Sequence, residues 1–85
     1  MIEYKLKTPI VLGEETIKVL KLDEAKGSSL KLFEVSFGEE ILSSVEGLMR
    51  IINACSTNTT ESHINEMRGR DIRLCGEVCL TNFFL

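Results

Sequence analysis

Apolar and charged residues alternate at the start of the chain, where Ile2, Tyr4 and Leu6 are each separated by one charged residue. A period of two is typical of a strand that buries one of its faces. We therefore predict a first β-strand over residues 2–11. A turn should follow at Gly13-Glu14-Glu15, since glycine readily adopts the backbone angles of tight turns.

The alternation resumes beyond this turn with Ile17 and Val19, which predicts a return strand over residues 16–22. Leu20 and Leu22 then continue the apolar pattern on the opposite parity. Such a change of phase indicates either a β-bulge or a strand end that is covered on both faces. The first 22 residues are thus predicted to form an antiparallel β-hairpin.

Apolar residues spaced three and four apart predict helices in the rest of the chain. The first such stripe is Leu30, Phe33 and Phe37. A longer helix is predicted over residues 39–55, with Glu46 and Arg50 as an exposed i,i+4 ion pair. Its apolar stripe consists of Ile41, Val45, Leu48, Ile52 and Cys55.

Two shorter helices are predicted downstream. Asn58 followed by Glu61 resembles a reciprocal helix cap, and the helix after it carries Ile64 and Met67. Gly69 is expected to end that helix, and Asp71 to cap the last one. The apolar face of the last helix is predicted to consist of Ile72, Cys75, Cys79 and Phe83.

The order of these elements predicts an α+β fold, with an N-terminal β-hairpin followed by three to four short α-helices. With 85 residues the chain has room for one small domain, of which residues 1–22 form the hairpin and residues 28–85 the helical part. Domains of this size often gain stability by self-association, so a homo-oligomer is expected.

Composition narrows the range of functions. The net charge of −3 and the isoelectric point of about 5.1 argue against a nucleic-acid partner, because phosphate binding needs a clustered basic surface. The N-terminus lacks the features of a secretory signal, and no apolar run is long enough to cross a membrane. We therefore expect a cytoplasmic protein that does not interact with membranes.

Few residues suggest chemistry. Three cysteines, Cys55, Cys75 and Cys79, could form a zinc site together with His63, but their spacing matches no standard zinc motif. Packing in the core is the favoured interpretation of the cysteines. His63 is interpreted as a surface residue on the first turn of a short helix rather than as a catalytic base. We expect no enzymatic activity and no metal or other cofactor.

The hairpin segment carries a family resemblance. Leu6-Lys7-Thr8-Pro9-Ile10 has the form L-x-x-P-I, a Gly-Glu turn follows, and residues 17–22 have the form I-x-x-L-x-L. This opening resembles that of the tail assembly chaperones of tailed bacteriophages, in the Mu-like class. Members of the class are similar in length and continue with helices in a similar order.

The resemblance implies a non-enzymatic assembly factor. Such chaperones are thought to coat the aggregation-prone tape measure protein in the host cytoplasm until tail tube subunits replace them, and they are absent from the finished particle. Some also exist in a longer, frameshifted form. The alternative function is a small cytoplasmic adaptor or regulatory domain that recruits another protein.

An apolar groove between helices could cover a helical partner, which is the helix-in-groove mode of recognition. The alternative for the positions in the longer helix is the core of the domain itself. The aromatic end of the chain could also form a contact between copies. The candidate partner-binding residues are Ile41, Val45, Leu48, Ile52, Phe83, Phe84 and Leu85.

Overall fold

The computed structural model describes residues 1–25 and 44–84 of the chain. The strands are β1, Ile2–Leu12, and β2, Glu15–Leu22. They are followed by the helices α1, Val45–Cys55, α2, Glu61–Asn65, and α3, Gly69–Cys79. A π-helical segment, Leu80–Phe84, continues directly from α3. The predicted α+β class, a hairpin followed by helices, is confirmed.

The strands pair antiparallel around a two-residue turn at Gly13 and Glu14, with Leu12 opposite Glu15. Gly13 has a φ of +62°, and no other described residue has a positive φ. A positive φ at the first of two turn residues is the requirement of a type II′ turn, which suits the twist of a hairpin. The glycine therefore serves the turn that the sequence pattern predicts.

The pairing of the two strands is irregular at one place in β1. Lys5 lies opposite Val19 and Ile10 lies opposite Ile17, so residues 6–9 stand opposite Lys18 alone. The phase change at Leu20 and Leu22 predicted a bulge or a doubly covered end in the second strand, but the bulge observed lies in β1, opposite Lys18. The extra residues belong to β1 and include Pro9, which has no N–H to pair.

The outer edge of β2 is covered by the segment that follows α1. The Thr57 N–H donates to the Lys21 carbonyl at 2.8 Å, and Leu22 forms an isolated bridge with Ser56. The Asn58 side chain accepts from the Lys21 N–H at 3.0 Å and donates to the Val19 carbonyl at 2.9 Å. The predicted role of Asn58 as a helix cap is thus wrong, because its amide pairs with the strand.

The helix starts also differ from the predictions. α1 begins at Val45 rather than at residue 39, because Ser44 is extended and its hydroxyl accepts from the Gly47 N–H at 3.0 Å. Residues 39–43, and the predicted stripe Leu30, Phe33 and Phe37, lie outside the described residues. Thr60 is the residue that caps α2. Gly69 begins α3 instead of ending α2.

The core lies between the hairpin and the helices. The residues closed to solvent come from β2, α1 and the apolar face of α3. They include Leu20 and Leu22 of β2 and Ile51 and Ile52 of α1.

α1 and α3 approach closely at Gly76, because a Cβ built there would lie 2.7 Å from Leu48 Cδ2 and 3.0 Å from its Cβ. Glycine at position 76 therefore permits the close packing of the two helices, and a Cβ there would displace the Leu48 side chain. The predicted ion pair between Glu46 and Arg50 is present at 2.8 Å on the exposed side of α1.

We expect Gly76→Ala to be less stable than Gly69→Ala by about 1–3 kcal/mol, since Leu48 must shift to admit the methyl group. Both substitutions place alanine in α3, but nothing lies within 4 Å of a Cβ at Gly69. Urea unfolding of the two variants measures the difference. Equal stabilities would contradict a close approach at Gly76.

Candidate partner-binding site

An open groove of about 470 Å³ lies between β1 and the C-terminal half of α3. We call it the β1–α3 groove. Its continuation is lined by Thr81 and Asn82 of the π-helical segment. The main lining residues are Tyr4, Lys5 and Lys7 of β1 and Leu74, Glu77 and Val78 of α3. Tyr4, Leu74 and Val78 are half-buried, so the groove has an apolar floor that solvent still reaches.

Asp71 joins the two walls of this groove. It lies in the first turn of α3 with only 1% of its surface exposed. Its carboxylate accepts from the backbone N–H groups of Lys7 and Thr8, both at 3.0 Å, and from the Tyr4 hydroxyl at 2.9 Å. The predicted role of Asp71 as the cap of the last helix is wrong, because Arg68 occupies the N-cap position.

The electrostatics of Asp71 agree with this geometry. Burial by itself raises the pKa of a carboxyl group, but the hydrogen bonds from Lys7, Thr8 and Tyr4 outweigh burial and hold the pKa of Asp71 below its usual value. Burial and the adjacent carboxylate raise the pKa of Tyr4, so its phenol stays protonated and donates to Asp71. Asp71 is thus a buried carboxylate that stays ionised and accepts hydrogen bonds from β1, which hold β1 against α3.

The π-helical segment forms the end of the groove. The Asn82 side chain donates to the Val78 carbonyl at 2.8 Å, across the junction between α3 and this segment. Phe83 and Phe84 are half-buried and pack against the core. The predicted apolar face of the last helix is confirmed for Ile72, Cys75 and Cys79, which are buried.

The predicted partner-binding residues fall into different environments. Leu48 and Ile52 are 8% and 0% exposed and belong to the core, which leaves them almost no surface for a partner. Val45 is 59% exposed at the start of α1. Phe83 and Phe84 keep part of their surface open, whereas Ile41 and Leu85 lie outside the described residues. Of the five that the structure describes, none lines the β1–α3 groove.

The cysteines lie together in the core. Cys55 of α1 and Cys79 of α3 share a hydrogen bond, and this bond, followed by burial, raises the pKa of the Cys55 thiol. The bond to Cys55 lowers the pKa of Cys79, but the bond to Cys75 and burial outweigh it and raise that pKa to about 12. All three are free thiols, and their burial agrees with the predicted packing role.

His63 is buried, with 6% of its surface exposed, so its predicted position on the surface is wrong. Its predicted place in the first turn of a short helix is confirmed. Nδ1 accepts from the backbone N–H of Thr60 at 3.0 Å and so completes a capping box at the start of α2. Nε2 lies 3.5 Å from the Glu15 carboxylate, beyond good hydrogen-bond distance.

Within residues 1–25 and 44–84, no group of three or more histidine, cysteine or acidic residues is arranged to hold a metal ion. No helix in the same part of the chain is both long and apolar enough to cross a membrane. Comparisons with protein-family models, with curated proteins and with solved structures find no match.

We expect Asp71→Asn to lower the free energy of unfolding at pH 7 by about 2–4 kcal/mol, because an amide can accept from only one of the two backbone donors of β1. The matched variant Tyr4→Phe removes only the hydroxyl bond and should cost about 1 kcal/mol. Urea unfolding of both variants tests this difference. A loss for Asp71→Asn no larger than that for Tyr4→Phe would contradict the assigned role of the carboxylate.

The contribution of Asp71 should also depend on pH. Its pKa is lower in the folded state, so the unfolded chain binds more protons below about pH 4. The stabilisation is therefore complete above about pH 4 and is lost as the pH falls through the folded value. Unfolding measured from pH 7 to about pH 3 should show the stability difference between the native chain and Asp71→Asn shrinking. A difference that stays constant over this range would contradict the argument.

Proposed function

We propose that this chain is a non-enzymatic phage tail assembly chaperone, which binds the tape measure protein and keeps it soluble during tail assembly. The observation that carries the proposal is the β1–α3 groove, an apolar surface that solvent reaches on a domain small enough to coat a longer partner. Exposed apolar grooves are typical of protein–protein recognition sites.

The residues of the family resemblance support the proposal. The L-x-x-P-I segment, Leu6 to Ile10, spans the bulge of β1, and the Gly-Glu turn is the type II′ turn at Gly13. Two of the three features that carry the resemblance are therefore also features that shape the hairpin. The bulge is the part of β1 that Asp71 joins to α3, so the motif helps to position a wall of the groove.

The charge of the chain agrees with such a role. A net charge of −3 favours solubility while a chaperone carries an aggregation-prone partner. In this proposal the protein acts in the host cytoplasm, forms homo-oligomers, and is displaced by tail tube subunits. The alternative is a small adaptor or regulatory domain, which would use the same groove to bind a different partner.

Co-expression with the tape measure protein of the same genome tests the proposal. We expect the tape measure protein, insoluble when expressed alone, to appear in the soluble fraction and to co-purify with this chain. An unrelated acidic protein of similar size serves as the control for a general effect on solubility. If the partner stays insoluble and none is retained, the chaperone function is wrong and the adaptor function takes its place.

A further inference from the structure

The two rims of the β1–α3 groove carry opposite charges. Lys5 and Lys7 stand on the β1 side, and Glu77 stands on the α3 side. All three side chains are exposed. Among the described residues, Glu46 and Arg50 form an ion pair, and the other close contact of a carboxylate with a basic side chain is that of Glu15 with His63, so Lys5 and Glu77 have no ion-pair partner there.

We propose that the groove binds one amphipathic helix of the partner, acidic along one flank and basic along the other. The apolar seam of this helix covers Tyr4, Leu74 and Val78. Its carboxylates face Lys5 and Lys7. This inference rests on the proposed function, since it names the kind of segment by which the chaperone holds its partner.

A helix fits this groove better than an added strand. An extended segment would need free backbone donors along the edge of β1, but Asp71 already accepts from the N–H groups of Lys7 and Thr8. Pairing could therefore not continue into the bulge. A helix requires only side-chain contacts, and Leu74 and Val78, four residues apart on α3, form a ridge for it to pack against.

The charges of the rims also set the direction of the bound helix. Turning an amphipathic helix end to end, with its apolar seam still on the floor, exchanges its two flanks. An acidic flank then faces Glu77, and a basic flank faces Lys5. Like charges in these positions oppose binding, so only one direction satisfies both rims.

Lys5 is the cleanest position for a test. Lys7 also contributes to the low pKa of Asp71, so changing it would disturb the fold as well as the rim. Lys18 on β2 is exposed and does not line the groove. Lys5→Glu and Lys18→Glu therefore alter the net charge equally but differ in whether they touch the proposed site.

The probe is a labelled synthetic helix of about 18 residues, with a leucine seam, glutamates along one flank and lysines along the other. Fluorescence anisotropy at low salt should show that Lys5→Glu binds it roughly three- to tenfold more weakly than the native chain. Lys18→Glu should bind within roughly twofold of the native chain. Circular dichroism melting curves confirm that each variant is folded.

A charge exchange sharpens the test. Glu77→Lys alone should weaken binding, whereas Lys5→Glu combined with Glu77→Lys should recover part of the affinity, with the helix reversed. Equal losses for Lys5→Glu and Lys18→Glu would overturn the proposal. Additive losses in the double variant, or no binding of the probe by the native chain, would also overturn it.

The tape measure protein itself separates this inference from the proposed function. If the native chain and Lys5→Glu retain it equally, the chaperone function stands and the groove is the wrong site. If the probe binds as described but the tape measure protein is not retained, the groove stands and the chaperone function fails. Loss of retention in Lys5→Glu but not in Lys18→Glu supports both.

Discussion

The Asp71 carboxylate joins the two ends of this domain. Two backbone N–H groups of β1 and the Tyr4 hydroxyl donate to it, across sequence separations of 63 to 67 residues. The bulge turns these N–H groups away from β2, and buried donors without a partner are costly. A two-stranded hairpin is marginal by itself, so fixing β1 onto α3 is what gives the hairpin a stable position on the helices.

Asn58 satisfies backbone groups of β2, as Asp71 does for β1. Its amide accepts from Lys21 and donates to Val19, as the peptide group of a neighbouring strand would. A small domain has few residues to spare for further strands, and open strand edges invite pairing with other chains. Single polar side chains thus satisfy backbone groups of both strands. The β1–α3 groove remains open, and its two walls are held in fixed positions.

Local pattern predicted the hairpin, its turn and the apolar face of α3, because alternation and helical spacing report directly on burial. Asp71 and Asn58 were assigned to helix caps by the same local reasoning, since both precede helical patterns. Their partners lie more than 35 residues away, where sequence spacing carries no information. Leu48 and Ile52 were assigned to a partner-binding surface for a related reason. An apolar stripe predicts that a helix face is buried, but it does not distinguish burial in the core from burial by a partner. The groove combines residues from both ends of the chain and could be recognised only in the folded structure.

The size of the groove affects how strongly a chaperone of the proposed kind would bind its partner. A site of about 470 Å³ with charged rims offers a limited contact area, which favours weak binding with rapid exchange. A long partner that repeats an apolar seam would nevertheless be held firmly by many copies, because linked weak contacts add through effective concentration. Each copy could still be displaced singly by a subunit that binds the same seam. A weak, directional contact of the kind proposed would therefore suit a chaperone that covers its partner during assembly and then leaves it.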